Sequence, residues 1–372
     1  MKNLVVGAGI SGAVLANLIA TELNEKVVVI DRRNVIAGNI YDYADDETGI
    51  IVHKYGPHLF HTNNKKVWDF LSKYTKWHPF FYKPNGFIEG KLVNLPFNLN
   101  SLYKVFSAAK AQKIEEKLVN EFGYGTNIPI LNLMQHNDED IKFISNYIYE
   151  NVFKNYSIKQ WGINPDKIDT SVLARVPVRI SNDNRYFLDK YQAIPLNGYT
   201  KMVENILNHP LITVKLNTDY KDITEKFDRI FYSGSVDELL DYKYGILPYR
   251  SLYFDIQKHY CEYYQQAEAV NYPNNFDFTR IVEHKHFLNQ KSSKTIISVK
   301  YPQQFEPEKN ERFYPISNPE NEDLYNKYAG EMKQVDNFYF IGRLGTYKYL
   351  NMDTAIERVM ELFYNSLYKE KI

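Results

Sequence analysis

Gly7, Gly9 and Gly12 stand at G-x-G-x-x-G spacing, and Asp31 follows nineteen positions after Gly12. These glycines act through what they lack. Gly7 permits a tight turn, Gly9 lets the main chain approach a pyrophosphate, and Gly12 lets a helix pack close to a strand. A helix starting here would offer N–H groups and partial positive charge to phosphate, and Asp31 would accept a ribose hydroxyl. The chemistry needs a frame. The apolar run Leu4–Val6 leads in as a strand, Ala13–Leu23 follows as a helix, and Val27–Ile30 returns as a second strand. Strand, helix, strand and acid in register mark a dinucleotide-binding βαβ unit.

The next residues bear on which dinucleotide. Arg32 to Asn39 (RRNVIAGN) resembles the R-x-x-x-G-G extension of FAD enzymes of the amine-oxidase-like class, with Ala37 where that pattern has glycine. Flavin is therefore expected over nicotinamide, the alternative being an ordinary basic turn. His58 and His61 lie three apart, yet no third ligand or acidic partner follows at a useful spacing, so no metal is expected. The stretch from Ile51 to Thr62 reads as a strand and Gly-Pro turn laid against a ring system.

Composition bounds the partners. The 372 residues carry 45 Lys+Arg against 45 Asp+Glu, so no global field draws the chain to nucleic acid or anionic membrane. The one cysteine, Cys261, excludes an internal disulfide and fits a reducing, cytoplasmic setting. Lys2 and the mostly apolar stretch to Ala20 imitate a signal peptide, but the spaced glycines and Asn17 argue against one. No run of eighteen apolar residues suggests a membrane span. Aromatic content is 15%, with 32 tyrosines. Most of that excess fits a proteome rich in Lys, Asn, Tyr and Ile, so only tyrosines inside motifs carry weight.

The elements that would position these groups follow from periodicity. Asn63–Tyr74 reads as a short helix and Phe80–Asn98 as strand and hairpin. Within a helical stretch from Asn100 to Trp161, Ala108–Phe122 and Asp138–Phe153 carry the i, i+3, i+4 apolar spacing. Trp161–Asn184, with its Gly, Pro and Asn breakers, is a candidate lid. Alternating runs between Tyr249 and Lys300 predict an antiparallel sheet, with His284 and His286 on one face of a strand. Phe338–Gly345 and a helix from Met352 close the chain. The fold class is α/β: a Rossmann-like FAD-binding domain (1–80, 191–240 and 315–372) with an inserted α-helical domain (100–190) and an antiparallel β-sheet domain (81–99 and 241–314).

Nine stretches in order resemble the bacterial UDP-galactopyranose mutases: GAGISGAVLA, HKYGPHLFHT, NLPFN, NYSIKQWG, RVPVR, NRYFLDKYQAIPLNGYTK, YRSLYF, TRIVEHKHF and GRLGTYKYLNMDTAI. The resemblance implies an isomerase that interconverts UDP-galactopyranose and UDP-galactofuranose for cell-surface polysaccharide. Reduced FAD would form a covalent adduct through N5, without net redox change. It implies catalytic roles for Arg175, Arg280 and His61. Cofactor contacts are implied for Gly7, Gly9, Ser11, Gly12, Asp31, Arg32, Asn39, His58, Arg343 and Met352. Substrate contacts are implied for Tyr156 (uracil stacking), Trp161, Arg175, Tyr186, Asn271, Arg280, Tyr314 and Tyr349. An external reductant such as NAD(P)H and a homodimer belong to the same picture. Two positions depart from the family pattern: Asn351 stands where many relatives are acidic, and Tyr82 where relatives often carry Asn. An amine-oxidase-like FAD oxidoreductase and a mutase acting on UDP-N-acetylgalactosamine remain as alternatives.

Overall fold

The computed structural model describes residues 1–162 and 176–369. The chain divides into two compact units, one of Met1–Phe80, Asp189–Tyr249 and Arg312–Ile372, the other of Phe81–Leu188 and Arg250–Glu311.

The first unit is built on a parallel sheet. Its strands lie in the order Ile212–Lys215, Lys26–Ile30, Lys2–Val6, Arg229–Tyr232 and Phe338–Phe340. Val5 faces Val29 on one side and Phe231 on the other, and these central strands are apolar because both faces are covered. The helix Ile10–Leu18 is buried on nearly every residue. It packs against the helices Gly198–Leu207 and Met352–Leu362. Asn17 is fully used there: its amide donates to the Ile206 carbonyl at 2.7 Å and its oxygen accepts from the Tyr74 hydroxyl at 2.7 Å. A smaller antiparallel sheet in the same unit joins Phe60–Thr62, Tyr191–Pro195 and Trp77–Pro79. Stacked rings of Phe60, Trp68, Trp77 and Tyr191 stiffen it, with Trp68 and Trp77 4.7 Å apart.

The second unit contains both the helical stretch and the long antiparallel strands. Helices Ala108–Phe122 and Glu139–Ile148 bury Ile114, Leu118, Ile141, Ile144 and Ile148 against Val93, Phe97, Val178 and Ile180. Asp138 starts the second helix by accepting the Asp140 and Ile141 amides. Strand Thr295–Gln304 lies between Tyr249–His259 and Arg280–Glu283, antiparallel to each; Ala269–Asn271 then leads to the hairpin of Asn85–Ile88 and Lys91–Asn94.

One expectation needs correction. His284 and His286 sit on a 3-10 turn, His284–Leu288, rather than on a strand. The strand stops at Glu283, whose buried carboxylate accepts the Tyr264 and Gln265 amides and the Thr295 hydroxyl. The candidate lid falls partly on residues 163–175, which lie outside the described residues. Its last part is anchored: Val178–Arg179 pairs antiparallel with Asn127–Ile128, and Val178 and Ile180 enter the helical core.

Candidate functional site

In the first unit the glycine loop is fitted by contacts that a side chain would destroy. Gly7 has φ +106°, and a Cβ there would lie 2.0 Å from Ser233 Oγ. A Cβ on Gly12 would lie 2.0 Å from the Gly7 carbonyl oxygen and 3.0 Å from Val5 Cγ1. Gly9 faces Gly38, whose own added Cβ would lie 3.1 Å from Gly9 Cα. Ala37 takes a left-handed conformation, φ +73°, where the flavin pattern has glycine, and its amide donates to the Ala8 carbonyl at 2.9 Å. The helix that starts at Ile10 has neither a side-chain cap nor an acid in its first turn, so nothing of its own competes for an anion at Gly9.

Asp31 accepts the Ala8 amide at 2.8 Å on one oxygen and the Arg33 amide at 2.9 Å on the other. Each oxygen keeps a second lone pair for a ribose hydroxyl. Arg32 pairs with Glu238 at 2.8 Å, and Asn39 accepts from Arg33 at 3.0 Å. Ser11 is buried beside Gly342, whose added Cβ would lie 3.3 Å from its Oγ, so the C-terminal Gly-Arg motif meets the N-terminal loop. Arg343 is held in place by its neighbours: it donates to the Phe313 carbonyl at 3.1 Å and twice to the Leu350 carbonyl, at 3.2 and 2.5 Å. Its guanidinium lies 5.3 Å from the Tyr314 ring and 5.1 Å from the Tyr349 ring, and those rings stack on each other at 5.2 Å. Met352 opens the last helix after Asn351, whose side chain makes no capping bond.

The histidines divide by environment. His58 Nδ1 lies 2.9 Å from the Gly56 carbonyl and must donate to it, while His53 Nδ1 accepts the His58 amide at 3.3 Å. Burial pushes His53 down to about 4. Burial, with help from the charges of His53 and Arg343, pushes His58 down to about 3. Both are therefore neutral rings near neutral pH. His61 instead meets the Asp189 carboxylate at 2.9 Å through Nδ1, and Asn63 holds the other Asp189 oxygen at 2.9 Å. That pairing fixes the proton on Nδ1. Among the described residues, no group of three His, Cys, Asp or Glu side chains could hold a metal ion.

In the second unit Tyr156 and Trp161 sit on the helix Asn155–Trp161. Lys159 ties this helix down by donating to the Tyr272, Phe276 and Phe278 carbonyls at 2.5, 3.0 and 3.1 Å. Arg250 binds its C-terminal carbonyls, Gln160 at 2.9 Å and Lys159 at 3.1 Å. Gly162 ends the helix at φ +70°, where a Cβ would press on Arg250 Nη1 at 2.7 Å. Arg280 opens its strand and donates through Nε to Asn271 Oδ1 at 2.6 Å, which sets the plane of the guanidinium. Tyr186 packs 5.6 Å from Tyr82. Arg175 lies outside the described residues. Lys159 and Arg250 lie inside two of the family-like motifs, but no local pattern marks their roles, because their partners are ninety or more residues away.

The sequence pattern of UDP-galactopyranose mutases matches residues 151–349, and that of an NAD(P)-binding Rossmann-like domain matches residues 5–74. The chain is 37% identical to the dTDP-fucopyranose mutase of Escherichia coli, with 97% of each chain covered. It is 36% identical to a probable UDP-galactopyranose mutase of Klebsiella pneumoniae, covering 97% of this chain and 93% of that one. A crystal structure of a reduced UDP-galactopyranose mutase shares the fold, with a TM-score of 0.75 at 14% identity over 98% of this chain and 94% of the other. By these matches the chain belongs to the UDP-galactopyranose mutase family of isomerases.

Proposed function

We propose that this chain interconverts UDP-galactopyranose and UDP-galactofuranose with reduced FAD as its working cofactor. One observation carries the reading: the stretch that matches the family, residues 151–349, contains every side chain assigned to a UDP-sugar, from Tyr156 through Arg175 and Arg280 to Tyr349. The glycine loop supports the cofactor: Gly7 and Gly12 are required by the turn and by close helix–strand packing, while an added Cβ on Gly9 would meet only Gly38 Cα at 3.8 Å, which leaves the main chain there approachable by a pyrophosphate. When bound, reduced FAD supplies at N5 the nucleophile that bonds to the anomeric carbon.

The chain's own residues do the rest. Arg280, oriented by Asn271, and Arg175 stabilise the charge that grows on the β-phosphate as UDP departs. A guanidinium suits this because its fixed fork meets two phosphate oxygens at once. Tyr156 offers a flat face to uracil, and Trp161 and Tyr186 bound the sugar and phosphate. His61, locked by Asp189, holds a defined tautomer for proton handling. Supply of galactofuranose for polysaccharide, NAD(P)H as reductant, a cytoplasmic setting and a homodimer belong to the same proposal; the single cysteine supports the reducing compartment.

A second reading, a dTDP-linked 6-deoxyhexose as substrate, is favoured by the 37% identity to the E. coli dTDP-fucopyranose mutase. Dithionite-reduced protein incubated separately with UDP-galactofuranose and dTDP-fucofuranose, followed by chromatography, decides between them. The UDP sugar is expected to be converted to the pyranose. Conversion of the dTDP sugar alone would move the reading to that substrate, and conversion of neither would overturn both.

A further inference from the structure

Four neighbouring strands of the second unit set one residue each in a single row across the sheet. Asn271 faces Arg280, Arg280 faces Lys300, and Lys300 faces Phe254. Residues directly opposed on neighbouring strands project to the same side, so the guanidinium of Arg280 and the ammonium of Lys300 are neighbours. The reading above uses Arg280 and gives Lys300 nothing to do. Yet Lys300 is only 7% exposed, and none of the ion pairs among the described residues includes it. Burial and the adjacent guanidinium hold its ammonium well below the usual lysine range. Two cations side by side with little water are unfavourable unless an anion joins them.

A second observation points to the same place. Tyr82 is 4% exposed, and its hydroxyl has no hydrogen-bond partner among the described residues. A buried hydroxyl left unpaired costs free energy that a ligand oxygen would recover. Tyr82 senses the charge of Arg280, and its phenol is pushed above the usual tyrosine range by burial, so it stays protonated and can donate.

We propose that Lys300 and Tyr82 are further substrate-recognising residues: Lys300 donates to a phosphate oxygen of the nucleoside diphosphate that Arg280 binds, and the Tyr82 hydroxyl donates to a neighbouring oxygen of the same ligand. The inference rests on the nucleotide-sugar reading given above. It also gives the Tyr82 departure from the family pattern a use, since a phenol reaches further than the shorter amide.

Isothermal titration of the FAD-loaded protein with UDP, inorganic pyrophosphate and uridine tests it. Lys300→Met keeps the side-chain volume and removes the charge. It is expected to weaken UDP and pyrophosphate binding by roughly 10- to 100-fold, the range for a hydrogen bond to a charged group. Uridine binding should not change, and the salt dependence of UDP binding should become shallower. Lys300→Arg should recover most of the loss, and Tyr82→Phe should lose about tenfold for UDP at unchanged FAD content. Wild-type affinity for UDP in both Lys300→Met and Tyr82→Phe, with a raised melting temperature for the former, would overturn the inference and make Lys300 a structural residue. If the unaltered protein itself binds neither UDP nor dTDP, the nucleotide-sugar reading falls, and this inference with it.

Discussion

His53 and His58 make the first unit sensitive to mild acid. An unfolded chain gives both rings the ordinary value of 6.5, whereas the folded protein holds them at about 4 and about 3. Folded values below unfolded ones mean that the stability present above pH 6.5 is lost as pH falls, down to about 4 for His53 and about 3 for His58. An unfolded ring is only half protonated at pH 6.5 and about nine-tenths protonated at pH 5.5, so each group costs about 1 kcal/mol across that unit and the pair costs the apoprotein roughly 2 kcal/mol. Carboxylates titrate mostly below that interval, so it isolates the histidines. Urea unfolding of apoprotein at pH 7.0, 6.5, 6.0 and 5.5 measures the slope. His53→Gln removes one of the two groups and should reduce the loss to about 1 kcal/mol over that unit. A flat profile across this interval, or an unchanged slope in His53→Gln, would refute the account of two histidines that the fold holds neutral.

Three further outcomes follow from the geometry. Gly12→Ala puts a methyl carbon 2.0 Å from the Gly7 carbonyl oxygen, a main-chain atom that cannot step aside, so the purified variant should carry almost no FAD; a normal flavin spectrum would contradict the fit. Arg280→Ala should lower kcat by about 10²–10³, roughly 3–4 kcal/mol, at unchanged FAD content, and Arg280→Lys should restore only part; near-wild-type kcat with dithionite-reduced enzyme would remove Arg280 from the mechanism. Gly162→Ala forces a left-handed alanine, costing about 1–2 kcal/mol, and displaces Arg250 from the helix that carries Tyr156, so UDP affinity should fall while FAD binding stays intact, as titration of each ligand would show.

Local rules made much of this chain readable. The glycine spacing located the turn between the first strand and the first helix, because each glycine answers to a contact within the first forty residues or to a turn. The apolar period placed the helix Ala108–Phe122 at its observed ends, since Gly123 stops it and Ser107 precedes it. What escaped depends on partners remote in sequence. Asp189 orients His61 across 128 positions, and Arg250 caps a helix ninety positions before it. Spacing alone sets His284 and His286 on a strand, while the reason the strand stops at Glu283, a carboxylate accepting amides of the 264–265 loop, comes from another segment. Lys300 looked like any lysine at the end of an alternating run until the register set it beside Arg280.

The central claim is an isomerisation that needs reduced flavin and does not consume it. UDP-galactofuranose should be supplied to the FAD-loaded protein in two states, dithionite-reduced under anaerobic conditions and air-oxidised without reductant, with the sugar nucleotides separated by chromatography and the flavin spectrum read before and after. The account expects UDP-galactopyranose only in the reduced sample, with the flavin still reduced at the end. Full conversion by the oxidised protein, or bleaching of oxidised flavin by substrate alone as an oxidase would show, would contradict it.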